Sequence, residues 1–211
     1  MTVSWDEDPP GYTRRIVDNL AVLSDEIEAL ANSRQRPSIA MAVDWHRRAY
    51  AGIPLPLDYF AGNVRGDPGF PELVDYEVEV AGMPGASAAE VEELLVAFEE
   101  WLRLRVELLD ERLRVGEQPS TADDLRNVLW LAAEIHGMWI RIHPFANGNG
   151  RIARLWVRWI AVRYGLPPFL ELKPRPQGEA YDAAAEASMS GTDLPMLRAL
   201  ADALSDYVAE R

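Results

Sequence analysis

An all-α bundle carrying one small β-hairpin is the fold that this sequence predicts. Apolar residues recur at helical spacing in stretch after stretch of its 211 residues, and the stretches stop at proline or glycine. One run alone alternates with a period of two.

In chain order, residues 1–11 are acidic and hold Pro9-Pro10-Gly11, which predicts a mobile tail. Ile16, Leu20, Leu23, Ile27 and Leu30 then repeat at helical spacing and predict a helix from Tyr12 to Asn32. Arg34 to Pro37 interrupt it, and Ser38 is the candidate cap of a second helix that carries Met41 and Trp45 and ends near Gly52. On this pattern a tail and helix, 1–37, precede a main domain, 38–211. Between 53 and 86 prolines and glycines accumulate, and Val74 to Val80 alternates apolar with charged residues, which predicts a half-exposed strand. An extended piece at Asn63-Val64-Arg65 is expected to pair with it across a turn from Gly66 to Pro71.

Ser87-Ala88-Ala89-Glu90 reads as a capping box for a helix carrying Val91, Leu94, Leu95, Phe98, Leu102 and Leu109 and ending near Gly116. Ser120, or Thr121 with Asp124, caps the next, whose apolar set runs from Leu125 toward Ile142 and delivers His143 at its end. Pro144 lacks an amide hydrogen and disfavours an α conformation at His143, so the chain must turn out of the helix there. Ile152, Leu155, Trp156, Trp159 and Ile160 mark a further helix that stops at Gly165. An irregular connection over 169–177 and helices over 179–189 and 192–210 complete the pattern.

Composition limits the function. A formal net charge of −13 makes nucleic acid a poor partner, because affinity for it rests on basic patches. With no cysteine, thiolate catalysis and cysteine-bound zinc are excluded. No stretch approaches the ~18 apolar residues of a membrane span, and the first residues lack the basic flank and apolar run of a signal peptide. A cytoplasmic protein is expected. Lys173 is the single lysine, so a phosphate grip would have to use arginine and backbone.

Chemistry concentrates in His143-Pro-Phe-Ala-Asn-Gly-Asn-Gly-Arg-Ile-Ala-Arg154. Histidine, with an ordinary pKa of about 6.5, is the side chain best matched to taking a proton near neutrality, so His143 is the candidate base. Gly148-Asn149-Gly150 lets the backbone approach another group closely just before a helix, whose free amides and dipole favour an anion. Arg151 and Arg154 emerge on one side of that helix, with Arg158 as an extension. Phe145 is read as an anchor for the loop, His136 as packing with a substrate contact as the alternative, and His46 as a surface or interhelical contact.

This run resembles the signature of the Fic family, H-x-F-x-[D/E]-G-N-G-R-x-x-R, at His143, Phe145, Gly148, Asn149, Gly150, Arg151 and Arg154. Weaker similarity extends through His46-Arg47-Arg48, Ala61-Gly62, Val64-Arg65, Tyr181 and Gly191-Thr192-Asp193. The resemblance implies a Fic-like helical bundle over 38–211 and transfer of AMP, or another phosphate-linked group, from ATP or a similar donor to a protein hydroxyl. His143 would be the base, Gly148 to Gly150, Arg151 and Arg154 the phosphate ligands, and Asn63-Val64-Arg65 part of a flap that aligns the target. One position departs: Asn147 stands where the family has a metal-binding acid, so Mg²⁺, if used, would be weakly held. Ser24 and Glu28 partly match an inhibitory motif whose glutamate pairs with the second motif arginine. A small-molecule acceptor without a divalent ion, and a catalytically weak nucleotide- or partner-binding module, are the alternatives. A homodimer is compatible with all three.

Overall fold

The computed structural model of the protein describes residues 5–80, 82–176 and 179–211. Residues 1–4 of the expected tail and residue 177 of the expected connection lie outside them. Among the described residues are eight α-helices: α1 (Thr13–Asn32), α2 (Ile39–Ala49), α3 (Pro71–Val74), α4 (Val91–Arg112), α5 (Ala122–Ile142), α6 (Asn149–Arg163), α7 (Glu179–Met189) and α8 (Leu194–Ala209). A two-stranded antiparallel hairpin, β1 (Glu79–Val80) and β2 (Met83–Pro84), is their only sheet. The all-α class with one hairpin is thus the observed one.

α6 is the axis of the bundle. It is buried nearly all round, packs most extensively on α5, and receives α1 and α2 on its other sides. Such a helix reads as continuous apolar sequence rather than one stripe, and Trp156 and Trp159 are fully buried on it. Trp156 meets Trp45 of α2 at 4.7 Å and Trp139 of α5 at 6.2 Å. α1 turns its stripe of Ile16, Leu20, Leu23 and Ile27 inward, with Ala31 rather than Leu30 continuing it. α7 and α8 pack against each other and cover α5.

Several local expectations are corrected. Residues 75–78 form no strand; α3 takes the start of the alternating run, and only Glu79 and Val80 pair, with Pro84 and Met83. Asn63-Val64-Arg65 is not in the hairpin. Its Arg65 amide donates to Pro144 O, 2.8 Å away, and Asn63 Nδ2 donates to Tyr59 O. The predicted capping box opens a 3-10 turn (Ala88–Glu90) instead of an α-helix, and Ser87 Oγ donates to the Glu90 carboxylate at 2.6 Å. Ser38 makes no side-chain cap; the Ile39 amide is met by Glu99 of α4. A carboxylate at a helix start gains from the dipole wherever in the chain it comes from. Thr121 does cap α5, accepting from the Asp124 amide at 3.1 Å. The expected mobile tail is also overturned over its described part, since Trp5 is buried in the core.

Trp156→Ala removes the side chain on which α2, α4 and α5 converge, so urea unfolding should show a loss of about 3–5 kcal/mol. A loss below 1 kcal/mol would mean that α6 is not the packing axis.

Candidate active site

α5 ends at His143, whose φ of 50° and ψ of 57° place a non-glycine residue in the left-handed region. That conformation costs about 1–2 kcal/mol and turns the chain out of the helix, as Pro144 demands. The His143 amide still donates to Trp139 O at 2.9 Å. Its Nδ1 lies 3.3 Å from Ile140 O. A carbonyl only accepts, so Nδ1 carries the proton and Nε2 keeps its lone pair. Nε2 has no partner among the described residues, and His143 lines a cavity of about 200 Å³. Desolvation pushes its pKa down to about 4, with Arg65 adding to the effect against the Ile140 carbonyl. The imidazole is therefore neutral at physiological pH and able to accept a proton.

The loop after it is rigidly held. Asn149 Oδ1 accepts from the Phe145 amide at 3.0 Å while Nδ2 donates to Phe145 O at 2.8 Å. The Asn149 side chain is thus a clamp on the loop, and its backbone amide is the group left for the anion seat expected of the Gly148–Gly150 backbone. Phe145 is buried and stacks on His46, centroids 3.7 Å apart and planes 4° apart. His46 is fully buried as well, so of the two expected positions, surface or interhelical contact, the surface one does not hold. Its Nδ1 accepts from the Gly62 amide at 2.8 Å, so Nε2–H donates to Asn147 O at 3.0 Å. Burial holds His46 neutral, its pKa down to about 3. No helical periodicity could reveal this role, because both partners come from distant segments.

Gly148 caps α6 at φ 79°, and a Cβ there would stand 2.3 Å from the Tyr50 hydroxyl. Glycine is required on both counts. The first-turn amides of Asn149 and Gly150 meet no acceptor among the described residues, and both residues line the cavity with His143. Arg154 lines it too, donating from one nitrogen to Leu172 O at 3.2 Å and leaving Nε unpartnered. Arg151 does not line the cavity; it donates to Tyr50 Oη at 2.5 Å and to Asp8 at 3.0 Å. Of the paired arginines only Arg154 lines the cavity.

Other expected residues fall differently. Glu28 pairs with Arg158 at 3.1 Å, one turn beyond Arg154, so it does not make the inhibitory contact that the resemblance implies. Ser24 Oγ bonds back to Leu20 O within α1. The hairpin beside the cavity is β1–β2, with Val80 in the cavity wall, and Asn63-Val64-Arg65 is not part of it. Val64 lines a separate groove of about 550 Å³ between α2 and α4, away from the motif. Arg65 is wholly buried and donates to the carbonyls of His143, Tyr76, Ala86 and Ile142 at 2.7–3.0 Å. His136 is buried, as expected for packing, yet borders the cavity, with Nε2 2.8 Å from Tyr181 Oη.

Asn147 decides how well the loop suits a divalent ion. Its Oδ1 accepts from the Gly148 amide at 2.7 Å and its Nδ2 donates to Trp5 O at 2.7 Å. Among the described residues no three carboxylates or imidazoles converge. A neutral amide engaged at both ends does not fit a resident Mg²⁺, which is held through carboxylates.

The profile of the Fic/DOC family matches residues 37–161, more than half of the chain. The uridine 5'-monophosphate transferase of Xanthomonas campestris pv. campestris is 41% identical over 56 residues, 26% of this chain and 10% of that protein. The protein adenylyltransferase Fic of Drosophila melanogaster is 29% identical over 126 residues, 60% of this chain and 22% of that one. The chain thus spans under a quarter of these relatives' length. A Fic domain-containing signaling protein of Bacteroides thetaiotaomicron superposes with a TM-score of 0.63 at 22% identity, over 92% of this chain and 69% of that one. This last likeness is one of fold.

All three histidines have lowered pKa values, about 3 for His46 and His136 and about 4 for His143, chiefly by burial. Between those values and the ordinary 6.5 the unfolded chain binds more protons than the folded one. Stability contributed by their neutral burial is therefore complete above pH 6.5 and falls as the solution is acidified. In an NMR titration no histidine of the folded protein should show a midpoint near 6.5. Such a midpoint at His143 would contradict the desolvated base.

Proposed function

This chain belongs to the Fic/DOC family, and from that premise we propose that it moves a nucleotide monophosphate, AMP or UMP, from a nucleoside triphosphate donor to a hydroxyl of a protein. One observation carries the reading: a neutral His143, whose Nε2 has no partner among the described residues, lines the same cavity as Asn149, Gly150 and Arg154. A base, an oxyanion seat and a phosphate ligand are the groups that phosphoryl-type transfer requires. The named activities of the Xanthomonas and Drosophila relatives support the reaction class.

In this mechanism the acceptor hydroxyl gives its proton to His143 Nε2 while its oxygen bonds to the donor's α-phosphorus. The bond from that phosphorus to the bridging oxygen breaks, and its electron pair leaves with pyrophosphate. The two amides stabilise charge on the non-bridging α-phosphate oxygens, and Arg154 holds the departing phosphates. Carbonyl-bound Nδ1 keeps the ring in the tautomer that can accept. A protein acceptor is supported by the hairpin, whose two short strands leave an open edge beside the cavity for an extended segment.

His143→Ala should lower label transfer from radiolabelled ATP or UTP by ~10²–10⁴ while sparing donor binding. Equal transfer by both proteins would refute the base assignment. Arg154→Ala should instead weaken donor affinity by about tenfold or more, the loss of a charge-assisted contact. Unchanged affinity in calorimetry would remove it from the phosphate site.

A further inference from the structure

The groove between α2 and α4 takes no part in the proposed transfer. Its volume of about 550 Å³ falls within the roughly 300–1,000 Å³ of ligand-binding clefts. Ile39 and Val43 of α2, Val64 of the following loop and Leu95 and Val96 of α4 give it an apolar surface. Ile39, Val43 and Val64 are only half-buried and Val96 is 56% exposed, so this surface faces water. Contiguous apolar surface with a polar rim is the mark of an interaction site.

The free charge at the rim is all of one sign. Two cations border the groove, and both are already engaged. Arg103 pairs with Glu99 at 2.6 Å and donates to Pro37 O at 3.1 Å, while Arg65 is buried among the carbonyls it serves. Glu99 is satisfied in turn, since it also accepts from the Ile39 amide at 2.5 Å. Three further carboxylates remain. Asp67 takes the Gly69 amide at 2.8 Å on one oxygen but meets no cation among the described residues. Glu92 and Glu100 are exposed and have neither a cation nor a hydrogen-bond donor there. Glu92 lies in the first turn of α4, where the helix dipole favours it; Glu100, two turns further on, has no such compensation.

An apolar floor under unpaired carboxylates repels nucleic acid and anionic lipid and suits a cation that carries apolar groups. A second copy of this chain, with its formal net charge of −13, is poorly matched. Spacing sets the shape of the ligand. Glu92 and Glu100 are eight residues apart, about 12 Å along α4, and Asp67 stands on the loop rather than on that helix. A compact amine could answer only one of the three. A helix lying in the groove turns apolar residues at i, i+3/i+4 and i+7 to the floor and carries basic residues on its flanks. We propose that the groove between α2 and α4 is the docking site for a basic amphipathic helix of a partner protein, whose lysines or arginines pair with Asp67, Glu92 and Glu100. This surface stands whether or not the chain transfers a nucleotide.

The probe is a fluorescently labelled leucine-lysine helix of about four turns, titrated with the full chain and read by anisotropy. It should bind, and a leucine-glutamate helix of the same length should not. Glu92→Gln combined with Glu100→Gln should weaken binding about tenfold, the loss of two exposed ion pairs. Val96→Gln, at an exposed position that the core does not need, should weaken it about fivefold without a change in charge. Glu186→Gln combined with Glu210→Gln removes the same charge from exposed sites outside the groove and should leave affinity unchanged. Equal weakening by the two double substitutions, or full affinity in Val96→Gln, would reduce the binding to general attraction between opposite charges and overturn the proposal. No binding of the leucine-lysine helix, or equal binding of the leucine-glutamate one, would also overturn it. Displacement of the peptide by an equimolar amount of octylamine would assign the groove to a compact amine instead and sink the helix as its occupant.

Discussion

The geometry of the motif loop depends on one buried guanidinium. Arg65 is fully enclosed, and its donors reach the carbonyls of Ile142 and His143 at the end of α5, of Ala86 after the hairpin, and of Tyr76 before it. The last carbonyls of a helix lack partners and carry the negative end of its dipole. A cation placed among them is compensated without a close carboxylate; Glu77 is no nearer than 3.8 Å. Desolvation lowers the Arg65 pKa to about 10, which still leaves it charged at neutral pH. Because one side chain holds both the left-handed turn at His143 and the foot of the hairpin, His143 and the hairpin are positioned as one unit.

Around that turn the loop is fixed from every side, which leaves its free groups ready for an anion. Asn149 closes a ring with Phe145, His46 ties Asn147 to Gly62, and the Tyr50 hydroxyl fills the space that a side chain at Gly148 would need. Each neutral imidazole in this region is buried against an aromatic ring or a carbonyl. Donors so held reorganise little when charge develops, which is where electrostatic stabilisation gains its strength. The strain stored at His143 is tolerated for the same reason: its surroundings over-determine it.

Charge is distributed against the average. The chain as a whole is strongly acidic, yet Arg151, Arg154, Lys173 and Arg175 gather about the motif. Acidic residues close by then compete for those cations, and Glu7, Asp8 and Asp182 all take them. Burial resists ionisation of Asp8, but Lys173 and Arg151 outweigh it and hold the carboxyl below its usual range.

The sequence by itself determined the helices, because each buries a stripe whose spacing is written locally, as in Ile16, Leu20, Leu23 and Ile27. It also determined the turn at His143, because Pro144 acts on its immediate neighbour, and it brought His143, Asn149, Gly150 and Arg154 together, since one loop and the first turns of α6 hold them all. What lay beyond it were contacts between residues far apart in the chain. Arg65 looked like an extended charged residue, His46 like a surface or interhelical one and Trp5 to Asp8 like a free tail, since nothing in their neighbours records the carbonyls, rings and cations they meet. Glu28 had the spacing for an inhibitory contact but faces Arg158, a difference of one helical turn that only the packing of α1 on α6 decides. Local periodicity fixes which face of an element is buried; the partner across the interface is set by the summed packing of the whole bundle.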